Sequence, residues 1–256
     1  MGQERYAGLT QPSKAGAVWS GVVRPCSDEH LLAPLRWRKP RRIFVNSMSD
    51  LFHEDVPDAH IEKVFAVMAI CGQHTFQVLT KRPERMRQFL QGEPRAGIFK
   101  WINTLLDDDG DIGALITLPG WPLPNVWLAT SVEDQQRADE RIPELLATPA
   151  ALRFISAEPL LGPVVLDPLW LKASPSAAFA SGKVTAHMPD WTRIGAHALD
   201  WVIAGGESGP RRRPVNPDWL RSLRDQCAAA GVAFFAKQLD KVMPLPPDLM
   251  VRQFPA

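Results

Sequence analysis

Seven charged side chains follow closely behind short apolar runs of the sequence. They are the acids Asp50, Glu133, Glu158 and Glu207 and the bases Lys81, Arg82 and Lys237. A carboxylate and a cation that share one cleft can act as general acid and base, or can grip opposite charges on a small molecule. If the runs are parallel strands, their carboxyl ends meet along one edge and these groups become neighbours. The pattern therefore predicts a small-molecule ligand site.

Charge and position assign roles within this set. We predict catalytic roles for Glu158, Glu207 and Lys237, with the two glutamates positioning hydroxyl or amino groups of the ligand. We predict ligand or cofactor binding for Asn46, Ser47, Asp50, Lys81, Arg82, Ser131, Glu133, Gly205 and Gly206. The competing explanation is that strand ends carry polar residues simply because loops are solvated. No metal site is assigned, since the six histidines form no HxH or HxxxH spacing.

The segment GGESG at 205–209 is the most glycine-rich of these strand ends. Glycines after a strand let backbone N–H groups approach a ligand closely, as they do in turns that cradle phosphate. The segment is not GxGxxG and has no P-loop lysine, so neither nucleotide-binding fingerprint applies. A turn that needs positive φ is the alternative explanation.

Six strands and four helices are predicted to position these residues. The strands are 42–46, 75–80, 126–130, 152–156, 201–205 and 232–236, and the helices are 57–71, 83–92, 134–147 and 216–230. Several strands are apolar on both faces, as in a parallel sheet covered by helices. Alternating strands and helices predict an α/β fold, either a partial (β/α) barrel or an open parallel sheet of about six strands.

The predicted domain organisation is a single barrel-like domain over residues 41–241. Residues 1–40 show no clear strand, and residues 242–256 read as a C-terminal tail. Two inserts, at about 96–123 and 167–199, exceed the usual loop length and are predicted to be lids or local decorations.

Composition limits the classes of partner. Lys plus Arg total 29 against 28 Asp plus Glu, so no global field steers the chain to nucleic acid or to a membrane. Local basic runs at 36–42 and 211–213 keep nucleic acid as an alternative partner. Three widely spaced cysteines indicate a reducing compartment, and no apolar stretch is long enough for a membrane span. We therefore expect a cytoplasmic protein without a membrane partner.

Six blocks in order carry a family resemblance. They are RRIFVNSMSDLFHEDVP, TFQVLTKRPERM, VWLATSVEDQQRADERIPELL, RFISAEPLLGP, DWVIAGGESGPRRRPVNPDWLRSLRDQC and FFAKQ. In these blocks the chain resembles the uncharacterised phage and bacterial family called phage protein gp thirty-seven / gp sixty-eight. Members of that family look like divergent radical S-adenosylmethionine proteins with a partial barrel. The resemblance implies S-adenosylmethionine at the strand ends and leaves open whether this chain is an enzyme.

The resemblance also implies a cysteine-rich loop, which would hold a [4Fe–4S] cluster and would lie upstream of Met1. Cys26, Cys71 and Cys227 lack the clustered spacing that such a cluster needs. A cluster is therefore expected only for a longer form of the protein, and the strand at Arg42 is expected at a sheet edge. The remaining alternatives are a binding module without catalysis, which takes a small anion or nucleic acid, and a nonfunctional fragment.

Overall fold

A six-stranded parallel sheet forms the centre of the computed structural model, which describes residues 8–13, 16–47, 49–92, 94–108, 120–171, 198–209, 212–240 and 242–255. A short antiparallel hairpin comes first, with β1 at Thr10–Ser13 and β2 at Gly16–Trp19. The sheet strands are β3 (Arg42–Val45), β4 (Thr75–Thr80), β5 (Val126–Ser131), β6 (Leu152–Ala157), β7 (Trp201–Gly205) and β8 (Ala233–Gln238). Their order in space is the order in sequence, β3 to β8, with every pair parallel.

Helices follow most of the strands. They are α1 (Asp28–Leu31), α2 (Asp58–Ile70), α3 (Pro83–Gln91), α4 (Arg95–Asp108), α5 (Gln135–Leu146) and α6 (Pro217–Ala230), and short 3-10 turns cover Ala33–Arg36 and Pro247–Leu249. Right-handed crossovers between consecutive neighbours put the helices on one side of a sheet. The sheet curls away from them into an open half-barrel.

The two faces of the sheet have separate cores. Alternate strand residues such as Val78, Leu128 and Ile155 join the helices in the larger core. The strand residues between them point to the other face of the sheet, where they form a second cluster around Ala129, Leu152, Phe154 and Trp201. Strands covered on both faces explain why β6 is buried along its whole length.

The predicted fold class is confirmed. Each predicted strand and helix is present with ends shifted by no more than about two residues, as is usual for boundaries. Helix α4 was not predicted. It lies in the first insert and packs on α2 through Ile98, Ile102 and Leu105, which are buried. Most of the second insert, residues 172–197, lies outside the described residues.

Both chain ends contain structure that the sequence pattern did not indicate. The hairpin of β1 and β2 lies within the 1–40 segment, in which we expected no strand. At the other end, the tail pairs antiparallel with the edge strand β8, since Ala236 N donates to Val251 O at 2.9 Å and Gln253 N donates to Phe234 O at 2.9 Å. This pairing covers backbone groups that an edge strand otherwise leaves open.

Candidate functional site

Asp50 joins the loop after β3 to the end of β4. One carboxylate oxygen accepts from Thr80 Oγ1 at 2.7 Å and from Phe52 N at 3.0 Å. The other accepts from Lys81 N at 3.0 Å and from Arg82 Nη1 at 3.2 Å. Four donors satisfy the carboxylate almost completely. In this arrangement Asp50 holds two strand ends together, and its predicted ligand contact would have to displace one of these bonds.

Glu133 is a nearly buried carboxylate placed between two cations. Lys81 Nζ lies 2.5 Å from Oε1, and Arg141 Nη1 donates to Oε2 at 2.9 Å. The same arginine nitrogen donates to Ser131 O at 2.9 Å, which fixes its position. Burial by itself raises the pKa of Glu133, but the hydrogen bond from Lys81 and the charges of Lys81 and Arg141 outweigh it, so the net pKa is lowered. The lowered pKa favours the ionised form of Glu133, which accepts hydrogen bonds and does not donate them.

Glu158 and Lys237 meet across the end of an intervening strand. Lys237 Nζ lies 2.9 Å from Glu158 Oε2, although β7 separates β6 from β8. The position between them is Gly205, where an added Cβ would lie 3.5 Å from the Cβ of Lys237 and 3.1 Å from Gln238 O. The missing side chain at Gly205 therefore leaves room for the lysine to reach the glutamate.

Gly206 is required by packing between backbone segments. An added Cβ would lie 2.0 Å from Leu239 O and 2.8 Å from Val215 Cγ1. Its N–H donates to Gln238 O at 3.0 Å. The close approach that this glycine permits is thus to the chain after β8, and the described contacts use its N–H within the protein.

Glu207 pairs with a residue outside the predicted set. Its carboxylate accepts from Arg213 N at 2.7 Å and from Arg213 Nε at 2.9 Å. The hydrogen bonds from the Arg213 side chain, followed by that from its backbone, lower the pKa of Glu207. Arg212 pairs with Asp240 at 3.0 Å in the same loop region. Arg211 lies outside the described residues.

The remaining predicted binding residues have simpler surroundings. Asn46 ends β3 with a φ of 58°, a left-handed conformation that asparagine tolerates better than most residues. Ser47 is exposed in the turn that follows. Ser131 is buried and pairs in register with Ser156 on the neighbouring strand. The two serines lie between the Lys81–Glu133 pair and the Lys237–Glu158 pair.

We call these two ion pairs and the two serines the inner rim. Strand alternation puts an apolar floor beneath it, in the lateral row Leu79, Ala129, Phe154, Trp201 and Ala233. Trp127 and Phe235 are part of the same inner cluster and are half-buried. The half-barrel thus has an aromatic inner face below a charged mouth, which is the usual composition of a small-molecule site.

The structure brings part of the predicted set together and separates the rest. Lys81 contacts Glu133, and Lys237 contacts Glu158. Arg82 contacts Asp50 and also Glu54, which was not in the predicted set. Arg141 was missed as a partner of Glu133. The sequence contained a signal for this contact, because Arg141 lies three residues after Ala138 and four before Leu145. This spacing puts Arg141 on the stripe of α5 that faces the sheet.

An iron–sulfur cluster does not fit the described residues. Among them no three His, Cys, Asp or Glu side chains lie together in a way that could hold a metal ion. Burial raises the pKa of both Cys71 and Cys227 to about 12, which favours thiols over the thiolates that ligate iron. Cys26 is exposed, far along the chain from both.

Comparison with known proteins identifies a family. Residues 2–246 match the family described as protein of unknown function (DUF5131), and the chain belongs to it. No curated protein and no solved structure matches the chain. Within the described part of the chain, no helix has the length and apolar character needed to cross a membrane.

Proposed function

We propose that this protein binds a small zwitterionic ligand of the S-adenosylmethionine type at the inner rim, as a phage-related relative of the radical S-adenosylmethionine proteins. The observation that carries the proposal is the pair of inward-facing Lys–Glu contacts above an aromatic face. In each contact an exposed lysine covers a mostly buried glutamate: the lysine side chains are 56% and 54% exposed, and the glutamates 11% and 16%.

The chemistry of such a ligand complements these groups. Its carboxylate would take a hydrogen bond from Lys237 or Lys81, since an ammonium has three donors and the glutamate uses one. Its amino group and ribose hydroxyls would donate to Glu158, and its base would stack on Trp127 or Phe235. These are binding roles, and the described residues supply no cluster that would start radical chemistry.

The direct test is calorimetric titration of the purified protein with S-adenosylmethionine and with S-adenosylhomocysteine. We expect Lys237→Ala and Glu158→Gln each to weaken binding by at least about tenfold, because each removes a charged hydrogen-bond partner. The matched control is Glu144→Gln. It removes a comparable ion pair, between Glu144 and Arg87 at 2.5 Å, which lies in the helical layer.

Binding that the control preserves and the two rim variants lose would support the proposal. The proposal is overturned if neither adenosyl compound binds at millimolar concentration. It is equally overturned if the rim variants bind as tightly as the unmodified protein while thermal unfolding shows that all variants are folded.

A further inference from the structure

A second charged surface runs from the segment before β3, at the amino ends of the strands, to the tail beside β8. Its six cations are all exposed: Arg36, Arg38, Lys39, Arg41, Arg42 and Arg252. We call this set the amino-end basic surface. Among the described residues, none of the six lies within 4.0 Å of a carboxylate oxygen in an ion pair.

Three of these cations lie over aromatic rings. The guanidinium of Arg41 lies 4.3 Å from the ring centroid of Trp37, and that of Arg42 lies 4.1 Å from the ring centroid of Phe254. Arg252 lies 5.6 Å from the ring centroid of Phe235. Two rings at this end are also open to solvent, since Phe254 is 45% exposed and Phe44 is 43% exposed. The surface therefore offers flat stacking partners beside uncompensated positive charge.

The backbone beneath the surface is held in place. Thr75 N donates to Arg41 O at 2.9 Å, and the ring Nε2 of His74 lies 3.2 Å from Pro34 O. The tail residue Gln253 is fixed by its pairing with β8 and by a bond from Trp201 Nε1 to its carbonyl oxygen at 2.9 Å. Residues distant in sequence, Arg42 and Phe254, are thereby kept together, so little ordering is required on binding.

The other basic run has a different character. Arg212 and Arg213 are both paired with carboxylates, with Asp240 and Glu207. Their charge is compensated within the protein, and a phosphate would have to replace a carboxylate to bind there. The amino-end basic surface requires no such exchange.

We propose that the amino-end basic surface binds single-stranded nucleic acid. Its cations would neutralise phosphates, and unpaired bases would stack on the exposed rings and arginine planes. Among the described residues, the six cations lie on a short 3-10 turn, an irregular segment, the start of β3 and the tail. None of them lies on a long exposed helix that could enter a major groove. The six cations are not part of the inner rim, although Phe254 packs on Trp201 and Phe235 of the aromatic inner face, with ring centroids 5.2 and 5.5 Å apart. This proposal does not depend on the ligand of the rim.

The test uses fluorescence anisotropy with labelled oligo-dT and oligo-U of twelve nucleotides and with a duplex of equal length. We expect binding of one or both single strands at low salt, with a log–log salt slope of about −3 if roughly four phosphates are neutralised. The duplex should bind more weakly. The two single strands distinguish DNA from RNA as the source of the shared chemistry.

Two variants locate the binding site. Arg38→Ala combined with Arg41→Ala should weaken binding by at least about tenfold and make the salt slope shallower by about 1.4. Phe254→Leu should weaken binding by roughly tenfold with the slope unchanged, because it removes a stacking face and keeps an apolar side chain. The control is Arg221→Ala with Arg224→Ala, which removes the same charge from arginines paired with Asp248.

The proposal is overturned if neither oligonucleotide binds at 50 mM salt, or if the control weakens binding as much as the Arg38 and Arg41 variant does. Tighter binding of polyglutamate or of anionic lipid vesicles than of either oligonucleotide would also overturn it, by showing a different partner. Thermal unfolding of each variant confirms that lost binding is not lost folding.

Discussion

The two ends of the half-barrel carry charge in opposite ways. At the carboxyl ends of the strands, Lys81, Arg82 and Lys237 each contact a carboxylate. At the amino ends, Arg41, Arg42 and their neighbours stack on rings and have no carboxylate partner among the described residues. Paired charges hold loops in position and present both positive and negative groups to a small ligand. Unpaired cations leave a local positive field, which attracts an extended anion. Changes at the first end should therefore cost stability, and changes at the second should not.

The largest loss is expected for Asp50→Ala. It leaves Thr80 Oγ1, Arg82 Nη1 and two backbone N–H groups without their acceptor, while Arg82 Nε keeps its bond to Glu54. The free energy of unfolding should therefore fall by about 3 kcal/mol. Urea unfolding measures the loss. Asp55→Ala, at a nearby and 67% exposed side chain, should stay within about 0.5 kcal/mol. Equal effects of the two changes would show that Asp50 does not hold the strand ends together.

A comparable loss of about 2 to 3 kcal/mol is expected for Gly206→Ala, because the new methyl group would overlap Leu239 O. Gly209→Ala is the control, since an added Cβ there meets nothing within 4 Å. Thermal unfolding of both variants compares them directly. If Gly206→Ala unfolds like the unmodified protein, the glycine is not there for packing, and its predicted ligand contact gains weight.

A smaller and pH-dependent loss is expected for Glu133→Gln, of about 1 to 2 kcal/mol at pH 7. The folded pKa of Glu133 lies below its ordinary value of 4.5, so its charged form stabilises the protein fully above that pH. This contribution disappears as the pH falls through the lowered pKa. Urea unfolding at pH 7 and pH 4 should show the difference between variant and unmodified protein shrinking at the lower pH.

The exposed Glu84→Gln provides the comparison for that experiment, with little change at either pH. A Glu133→Gln loss that stays constant from pH 7 to pH 3 would contradict the ion-pair explanation. Such a constant loss would indicate that the glutamate acts through its packing alone.

The smallest effect is expected at the amino end. Arg42→Ala combined with Arg252→Ala removes two exposed cation–π contacts, and the free energy of unfolding should fall by less than about 1 kcal/mol. Urea unfolding gives this number. A loss as large as that of Asp50→Ala would erase the difference between the two ends and would give these arginines a structural role.

Sequence patterns predicted the scaffold because its determinants are local. Apolar runs such as Ile43 to Val45, and helix starts such as Asn216 before Pro217, depend on neighbours in the chain. Helix α4 escaped prediction because Gly97 and the charged residues around it obscure a three-residue apolar stripe. The pairing of the tail was not predicted, because it depends on β8 being an edge strand and the strand order is known only from the tertiary structure.

The site was predictable as a set and unpredictable in its pairings. Sequence by itself determined that acids and bases follow the strands, since a parallel α/β fold gathers strand ends whatever the loops contain. Only the tertiary structure decided that Lys237 reaches Glu158 across Gly205 and that Glu207 turns to Arg213. It also decided that, among the described residues, Arg42 has no carboxylate in an ion pair while Arg213 pairs with Glu207. The reason is distance: a Coulomb or hydrogen-bond contact acts over a few ångströms in space, and spacing along the chain does not encode it.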